Sequence, residues 1–385
     1  MKRESMSAVL SLPATPPVVA HRRTLLGVKG WLGVAIALAV VAIVVPVLNL
    51  SMPAGSALHM SDYAVALVGK IMCYAICALA MDLIWGYTGI LSLGHGLYFA
   101  LGGYAMGMYL MRQIGHDGNY RSDLPDFMVF LDWKTMPWTW AGSASFAFQA
   151  ILVVAVPALV AGVFGWFAFR SRIKGVYFSI ITQALTFAGM LLFFRNETGF
   201  GGNNGFTDFK RILGAPIAAP STRMLLFVVT GLTLVGFYLL ARAIVNSKYG
   251  RVLQAIRDAE TRVMFTGYDP LKYKLSIWVL SAVMCGIAGA LYVPQVGIIN
   301  PSEMSPAASI EMAIWAAVGG RGTLVGPIVG AFFVNGAKSW FTQAFPEFWL
   351  YFLGALFIAV TLFLPRGIMG IKDRLMKEKG VEVRG

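Results

Sequence analysis

Apolar runs of about twenty residues recur along this chain from one end to the other, separated by short polar or basic segments. A helix needs a run of that length to cross the hydrocarbon core of a bilayer, and a membrane-spanning strand needs only about half of it. We therefore predict an all-α fold, a polytopic transmembrane helical bundle of about nine or ten spans. Seven spans are predicted at 31–50, 62–84, 88–111, 146–169, 175–195, 222–245 and 272–296, a further pair within 307–342, and a last span at 347–365.

The composition agrees with a membrane protein. Hydrophobic residues make up 58% of the 385 residues and charged residues 13%, which leaves too few polar groups to cover a soluble domain. The formal net charge of +13 would suit nucleic-acid binding, but the basic residues cluster in short loops and tails. That distribution is typical of the cytoplasmic side of a membrane protein and argues against nucleic acid as a partner.

The basic clusters also set the predicted topology. They lie in an N-terminal tail at 1–30, in a short loop after the fourth predicted span, in a loop at 246–272 and in a C-terminal tail at 366–385. Both termini are therefore predicted to be cytoplasmic, flanking a transmembrane domain at 31–365. The loop at 112–145 holds more acidic than basic residues and three tryptophans, so it is predicted on the outer side.

The segment 307–342 is predicted to be a broken helix. A single crossing there would place the basic C-terminal tail outside, so the segment must cross twice or fold back as a re-entrant pair. Irregular backbone at membrane depth is tolerated only where protein or a water-filled cavity covers it. The break is therefore predicted inside the bundle or beside a translocation path, and its residues are Gly319, Gly320, Gly322, Thr323, Gly326 and Pro327.

The cytoplasmic loop at 246–272 contains an amphipathic helical pattern. The apolar face is formed by Val252, Leu253, Ile256, Ala259 and Val263. The opposite face is basic, and Gly267 suits the position just after a helix end. Such a helix either lies on anionic lipid or sits in a groove of a soluble subunit. Periodicity alone leaves both interpretations open.

Three blocks of the sequence resemble one known family. They are GYTGILSLGHGLYFALGGYAMGMYL at 86–110, SKYGRVLQAIRDAE followed by TGYDPLKYKLSIWVLSAVMCGIAGALY within 247–292, and SIEMAIWAAVGGRGTLVGPIVGA at 309–331. In this order they resemble the branched-chain amino-acid-type permeases of ABC importers. The runs LPDFMVFLDWKTMPWTW at 124–140 and RDAETRVMFTGYDP at 257–270 further resemble the urea-importer branch of that family.

The resemblance implies a transport subunit that is not an enzyme and that works in the bacterial inner membrane. A second related permease subunit, two cytoplasmic ATPase subunits and a periplasmic substrate-binding protein would be its partners, with lipid around it. The sequence has no phosphate-binding loop of the P-loop type, so ATP and Mg²⁺ would be bound by the ATPases, and no cofactor is predicted on this chain. The resemblance places ATPase coupling on Tyr249, Gly250, Arg251, Ala255, Ile256, Arg257, Glu260 and Gly267.

The solute implied by the resemblance is urea or a short amide, with a branched-chain amino acid as the alternative. Neutral urea offers a carbonyl acceptor and four N–H donors, which polar uncharged side chains would suit. Candidate path residues, chosen as polar groups near membrane depth or at the outer entrance, are Tyr87, Thr88, Ser92, His95, Gln183, Asn203, Asn204, Thr207 and Glu311.

Other polar groups and other function classes were also considered. Asp82 is expected at the cytoplasmic interface, and Lys338 is expected to extend towards the membrane surface. Cys73 and Cys77 are expected to be buried apolar residues rather than metal ligands. A stand-alone transporter or channel is a second function class that broken helices suit. An intramembrane enzyme is disfavoured because no nucleophile–base or metal cluster is evident.

Overall fold

The structure is a computed structural model that describes residues 25–53, 55–56, 58–345, 347–348, 351–352, 354–355, 358, 362 and 367–370. The predicted last span at 347–365 and both terminal tails lie largely outside the described residues. The described helices are α1 Val28–Ala39, α2 Asp62–Thr88, α3 His95–Arg112, α4 Asp126–Phe130, α5 Phe146–Arg170, α6 Val176–Phe194, α7 Pro220–Asn246, α8 Lys248–Phe265, α9 Pro270–Val296, α10 Pro306–Gly319 and α11 Val325–Ala344.

The predicted polytopic helical bundle is confirmed. Within the described part of the chain, six helical segments are long and apolar enough to cross a membrane, namely Val28–Ser51, Asp62–Thr88, Phe146–Arg170, Val176–Phe194, Pro220–Asn246 and Pro270–Val296. The first of these continues α1 through two π-helical turns. The predicted span at 88–111 corresponds to α3, and the predicted pair within 307–342 corresponds to α10 and α11.

Strands are minor elements at the ends of the bundle. β1 Phe206–Thr207 pairs antiparallel with β4 Ile298–Ile299, with Phe206 opposite Ile299. β2 Arg211–Ile212 and β3 Ala215–Pro216 form a second antiparallel pair. The β1–β4 pair ties the loop after α6 to the end of α9, two segments that are far apart in sequence.

The centre of the bundle is a close contact between α3 and α9. A Cβ atom on Gly102 would stand 2.0 Å from the carbonyl oxygen of Gly286, and one on Gly289 would stand 1.9 Å from the carbonyl oxygen of Phe99. The two backbones therefore touch where side chains would normally separate them, as small residues allow in membrane helices. α2 packs beside this pair and is buried over most of its length.

The predicted span at 88–111 starts later than expected, because its helix begins at His95. α2 continues to Thr88 and ends at Gly89, which has φ +74°. The segment 89–94 is not helical, and α6 supplies its hydrogen bonds: the Ser179 hydroxyl donates to the Leu91 carbonyl at 2.8 Å, and the Leu93 N–H donates to the Thr182 hydroxyl at 3.1 Å. Hydrophobicity alone did not reveal this extended segment, because its leucines and isoleucine continue the apolar run.

The loop 112–145, predicted to be on the outer side, packs on the turn that follows α6. Trp140 is buried against Phe206, and its indole N–H donates to the Gly199 carbonyl at 3.1 Å. Arg211 forms an ion pair with Asp117 at 2.8 Å. Trp138, by contrast, is 87% exposed. Trp140 therefore anchors the loop to the bundle.

Candidate functional site

The loop at 246–272, predicted to be cytoplasmic, forms α8, the helix for which the sequence predicts ATPase coupling. The Ser247 hydroxyl caps its first turn by accepting from the Gly250 N–H at 3.2 Å. Leu253, Ile256 and Val263 are buried, as their periodicity predicts. The helix ends at Phe265, and Gly267 follows it with φ +85°, the left-handed geometry expected after a helix end.

Two lysines of the bundle hold α8 in place through Glu260. The Glu260 carboxylate forms ion pairs with Lys174 at 2.6 Å and with Lys274 at the start of α9. Burial acts to raise the pKa of Glu260, but the two lysines more than offset this, so its pKa lies below the usual value. The predicted coupling residue Glu260 therefore faces the bundle.

Arg257 also faces the bundle, although the sequence places it on the polar face. Its guanidinium donates to the Gly86 carbonyl at 2.7 Å and to the Asp258 carboxylate at 2.8 Å. A Cβ atom on Gly89 would stand 3.0 Å from the Arg257 side chain, so the arginine lies directly against the end of α2. The helix is kinked just beyond this contact, at Ala259 with φ −157°.

The end of α2 is in turn bonded to the break between α10 and α11. Asp82, fully buried, accepts from the Gly322 N–H with one carboxylate oxygen and from the Leu324 N–H at 3.0 Å with the other. The Tyr87 hydroxyl donates to the Gly322 carbonyl at 2.8 Å. Asp82 is therefore buried within the protein, where its carboxylate satisfies backbone N–H groups that the broken helix leaves unpaired, and its predicted position at the cytoplasmic interface stays a prediction.

The break itself lies between Gly319 and Val325, within the predicted segment. The described residues 319–326 pack by backbone contact: a Cβ atom on Gly319 would stand 1.8 Å from the Gly326 carbonyl oxygen. The Thr323 hydroxyl donates to the Gly320 carbonyl at 2.7 Å and accepts from the Gly326 N–H at 2.9 Å. Pro327 is buried in the first turn of α11. We call the set Arg257, Gly86, Tyr87, Asp82 and Gly322 the coupling junction.

The far side of α8 is exposed and has apolar side chains. Arg251 and Ala255 are exposed, Phe265 is 92% exposed, and Met264 and Tyr268 are 42% and 47% exposed. Sequence periodicity missed Phe265, because it lies at the helix end and off the apolar face. Three exposed apolar or aromatic side chains so close in sequence give this end of α8 a surface that a partner or lipid would cover.

The first group of predicted path residues lies deep in the bundle. His95 is fully buried, with its Nδ1 atom 2.9 Å from the Ser92 hydroxyl and its Nε2 atom 3.0 Å from the Ser281 hydroxyl. Its ring packs edge-on against Trp278. The Thr88 hydroxyl donates within its own helix to the Ile84 carbonyl. These contacts form a polar cluster between α3 and α9. The role of these residues in a solute path stays a prediction.

The other predicted path residues lie elsewhere and do not form one surface. Asn203, Asn204 and Thr207 are exposed in the turn that contains β1, and Gln183 is half-buried on α6. Glu311, on α10, lies close to Lys338 of α11, whose ammonium nitrogen is 2.9 Å and 3.0 Å from its two carboxylate oxygens. Lys338 is therefore ion-paired at this point and not simply extended towards the membrane surface.

The described residues include no group of three or more His, Cys, Asp or Glu side chains that could hold a metal ion. Cys73, Cys77 and Cys285 are buried, free thiols.

A known protein family matches most of this chain. A family model described as "Branched-chain amino acid transport system / permease component" matches residues 63–361, which is most of the chain and includes α2 to α11. The chain belongs to this family. It is thus an ABC importer permease and a multi-pass protein of the inner membrane, and members of this family are transport subunits rather than enzymes. The family half of the sequence prediction is confirmed.

Curated relatives agree with this assignment at low identity. The chain is 22% identical over 336 residues to the high-affinity branched-chain amino acid transport system permease LivM of Salmonella typhimurium, covering 82% of this chain and 72% of that protein. BraD of Pseudomonas aeruginosa is 23% identical over 310 residues, 77% of this chain and 91% of BraD. The ribose import permease RbsC of Escherichia coli K12 is 22% identical over 188 residues, 46% and 56% respectively. No solved structure matches the chain at a comparable level of significance.

Proposed function

We propose that this permease carries a branched-chain amino acid inward by alternating access, driven by two ATPase subunits that dock on α8. A second permease subunit completes the pore, and a periplasmic binding protein delivers the solute. ATP and Mg²⁺ are bound by the ATPases. The observation that carries the mechanism is the coupling junction, which connects α8 to the α10–α11 break through hydrogen bonds.

In this mechanism, closure of the ATPases moves α8 and the junction transmits the movement. Arg257 pulls on the Gly86 carbonyl at the end of α2, and Asp82 and Tyr87 hold Gly322 against the same helix end. A rigid-body shift of α8 therefore reaches the break without passing through a flexible loop. The ATPases bind the exposed face of α8, where Phe265 fills an apolar pocket and Arg251 meets acidic groups.

The solute assignment follows the family and its relatives, since the LivM and BraD proteins are named as branched-chain amino acid permeases. Urea is the second candidate. It is favoured by the likeness of the runs at 124–140 and 257–270 to the urea-importer branch. The basic cytoplasmic loops support the proposed orientation with both termini inside.

Uptake assays in cells separate the two solutes. Cells that lack this gene are grown under nitrogen limitation and given labelled leucine or labelled urea, with the intact gene restored as the control. We expect loss of high-affinity leucine uptake with urea uptake unchanged. Loss of urea uptake with leucine uptake intact would move the permease to the urea branch, and loss of neither would contradict the proposed function.

Replacing Arg257 with glutamine should uncouple ATP hydrolysis from transport. The variant loses a charge-assisted hydrogen bond to the Gly86 carbonyl, so we expect transport to fall about tenfold while basal ATP hydrolysis and subunit assembly persist. The measurement is ATP-driven uptake and phosphate release by the purified importer in proteoliposomes.

The matched control is Arg195→Gln. Arg195 is exposed, with 69% of its side chain accessible. It follows α6 and is predicted to lie on the outer side of the membrane, opposite to α8. Unchanged coupling in Arg257→Gln would exclude the junction as the transmission route. Failure of the ATPases to co-purify would instead assign Arg257 to docking.

A further inference from the structure

A cavity of about 280 Å³ lies between α2 and α11. Two lysines line it, Lys70 from α2 and Lys338 from α11. Most of the remaining wall is polar or aromatic and is formed by Tyr63, Tyr74, Asn335, Ser339, Thr342 and Gln343. None of the described residues that line the cavity is acidic, so the charged groups that they present to it are both cationic.

The cavity lies at membrane depth. Lys70 is eight residues into α2, which places it roughly 12 Å along the helix from Asp62. A lysine at that depth costs about 2.5–3.5 kcal/mol in lipid, and such residues normally face a bundle interior or a water-filled cavity. The lining runs from Tyr63 to Tyr74 along α2, so the cavity extends towards the end of the helix that we predict to be outermost.

The positive charges of the two lysines have different partners. Lys338 is ion-paired with Glu311, which lies on α10 behind it. The Lys70 ammonium lies 5.7 Å from the ring centroid of Tyr74 and 6.0 Å from that of Tyr292, and among the described residues no carboxylate oxygen is within ion-pair distance of it. Ring faces compensate an ammonium group only in part.

The nearest acidic groups lie outside the cavity wall. Glu303 and Glu311 are within electrostatic range of Lys70. The Glu303 carboxylate accepts a hydrogen bond from the Tyr292 hydroxyl at 3.0 Å, so one of its two oxygens already has a donor. Neither carboxylate is bonded to the Lys70 ammonium, which is left open to the cavity. Sequence reasoning missed Glu303, although an acidic residue between two apolar segments is a signal that could have found it.

We infer that this cavity receives the carboxylate of an amino-acid solute, with Lys70 as the main hydrogen-bond donor and Lys338 adding positive charge. The inference rests on the proposed function and names the substrate-binding residues for it. A carboxylate supplies the counter-charge that Lys70 lacks, and the hydroxyl and amide oxygens of Thr342 and Gln343 are acceptors for the solute ammonium group. Leu67 and Ile71 line the same cavity and suit an apolar side chain.

A binding measurement tests the inference. The complete importer in nanodiscs, without its binding protein, is titrated with labelled leucine, and unlabelled leucine or leucinamide is used as competitor. Leucinamide lacks the carboxylate but keeps the amine and side chain. We expect leucine to compete at least about tenfold better than leucinamide, and Lys70→Gln to weaken leucine binding by about tenfold or more. Lys70→Arg should keep affinity within a few-fold, because it retains the charge.

The control variant is Lys29→Gln, which removes an exposed lysine at the start of α1. Equal competition by leucinamide, wild-type affinity in Lys70→Gln, or no leucine binding by the wild type would each overturn the inference. Loss of the second permease subunit from Lys70→Gln would also overturn it, since an acidic residue of that subunit would then fill the cavity. ATP-driven leucine uptake by the wild type is measured in parallel. Absence of that uptake would contradict the proposed function itself, whereas normal uptake with an unchanged Lys70→Gln variant would contradict only the binding site.

Discussion

Replacing Asp82 with alanine is expected to abolish ATP-driven uptake and to destabilise the membrane domain. The fully buried carboxylate accepts hydrogen bonds from the backbone N–H groups of Gly322 and Leu324, and the described part of the chain shows no other acceptor for either donor. Leaving two buried donors unpaired costs about 2–5 kcal/mol. The loosened break no longer follows the end of α2, so transport is lost even where the variant still assembles.

Uptake in proteoliposomes and thermal unfolding of the purified importer measure the two effects of Asp82→Ala. Asp82→Asn keeps the shape and one acceptor oxygen, and we expect it to fall between the wild type and Asp82→Ala in both assays. Asp123→Ala is the matched control, because that side chain is 91% exposed in the outer loop. Normal uptake by Asp82→Ala would show that the α10–α11 break holds its conformation without the carboxylate.

Replacing Gly102 with valine is expected to prevent folding of the bundle. A Cβ atom there would stand 2.0 Å from the Gly286 carbonyl oxygen and 2.5 Å from the Gly286 Cα, so the α3 and α9 backbones would have to separate. Because the obstructing atoms are backbone, no side-chain rotation relieves the overlap. We expect a loss of about 3 kcal/mol or more and little folded protein after detergent extraction.

The matched control for Gly102→Val is Gly162→Val on α5. At Gly162 the nearest heavy atom to an added Cβ is a methyl carbon of Val279 at 3.9 Å, an ordinary contact. Monodisperse elution on size-exclusion chromatography measures both variants. If Gly102→Val elutes like the wild type, α3 and α9 do not make the backbone contact described here.

The contact between Gly102 and Gly286 illustrates how much of the packing can be predicted from sequence. The block at 86–110 is rich in glycine, which predicts close helix approach, but it does not name the partner helix. Gly286 lies far along the chain, and only the fold brings it to Gly102. The same limit applies to the helix break. Its glycines predict where the helix breaks, but they do not predict that the Asp82 carboxylate binds there.

Arg257 and Asp82 show why the functional contacts escaped prediction. Hydrophobic periodicity assigns each side chain to a face of its own helix, and by that rule Arg257 belongs to the exposed face of α8. Its long side chain instead reaches Gly86, 171 positions away in sequence. Asp82 looks like an interfacial aspartate because it lies near the end of an apolar run, yet its partner Gly322 is 240 positions away.

The amino-acid sequence by itself determined the helical nature of the bundle and the place of most long apolar helices, the amphipathic helix α8 with the glycine after its end, the broken helix at Gly320 and the transport family. These follow from local patterns, since hydrophobicity, helix periodicity and glycine content act over a few turns of chain. The tertiary structure alone decided which groups meet at the coupling junction and which lysines share the α2–α11 cavity. Those contacts depend on helix packing between distant segments, where a buried polar group must find whichever partner the fold places beside it.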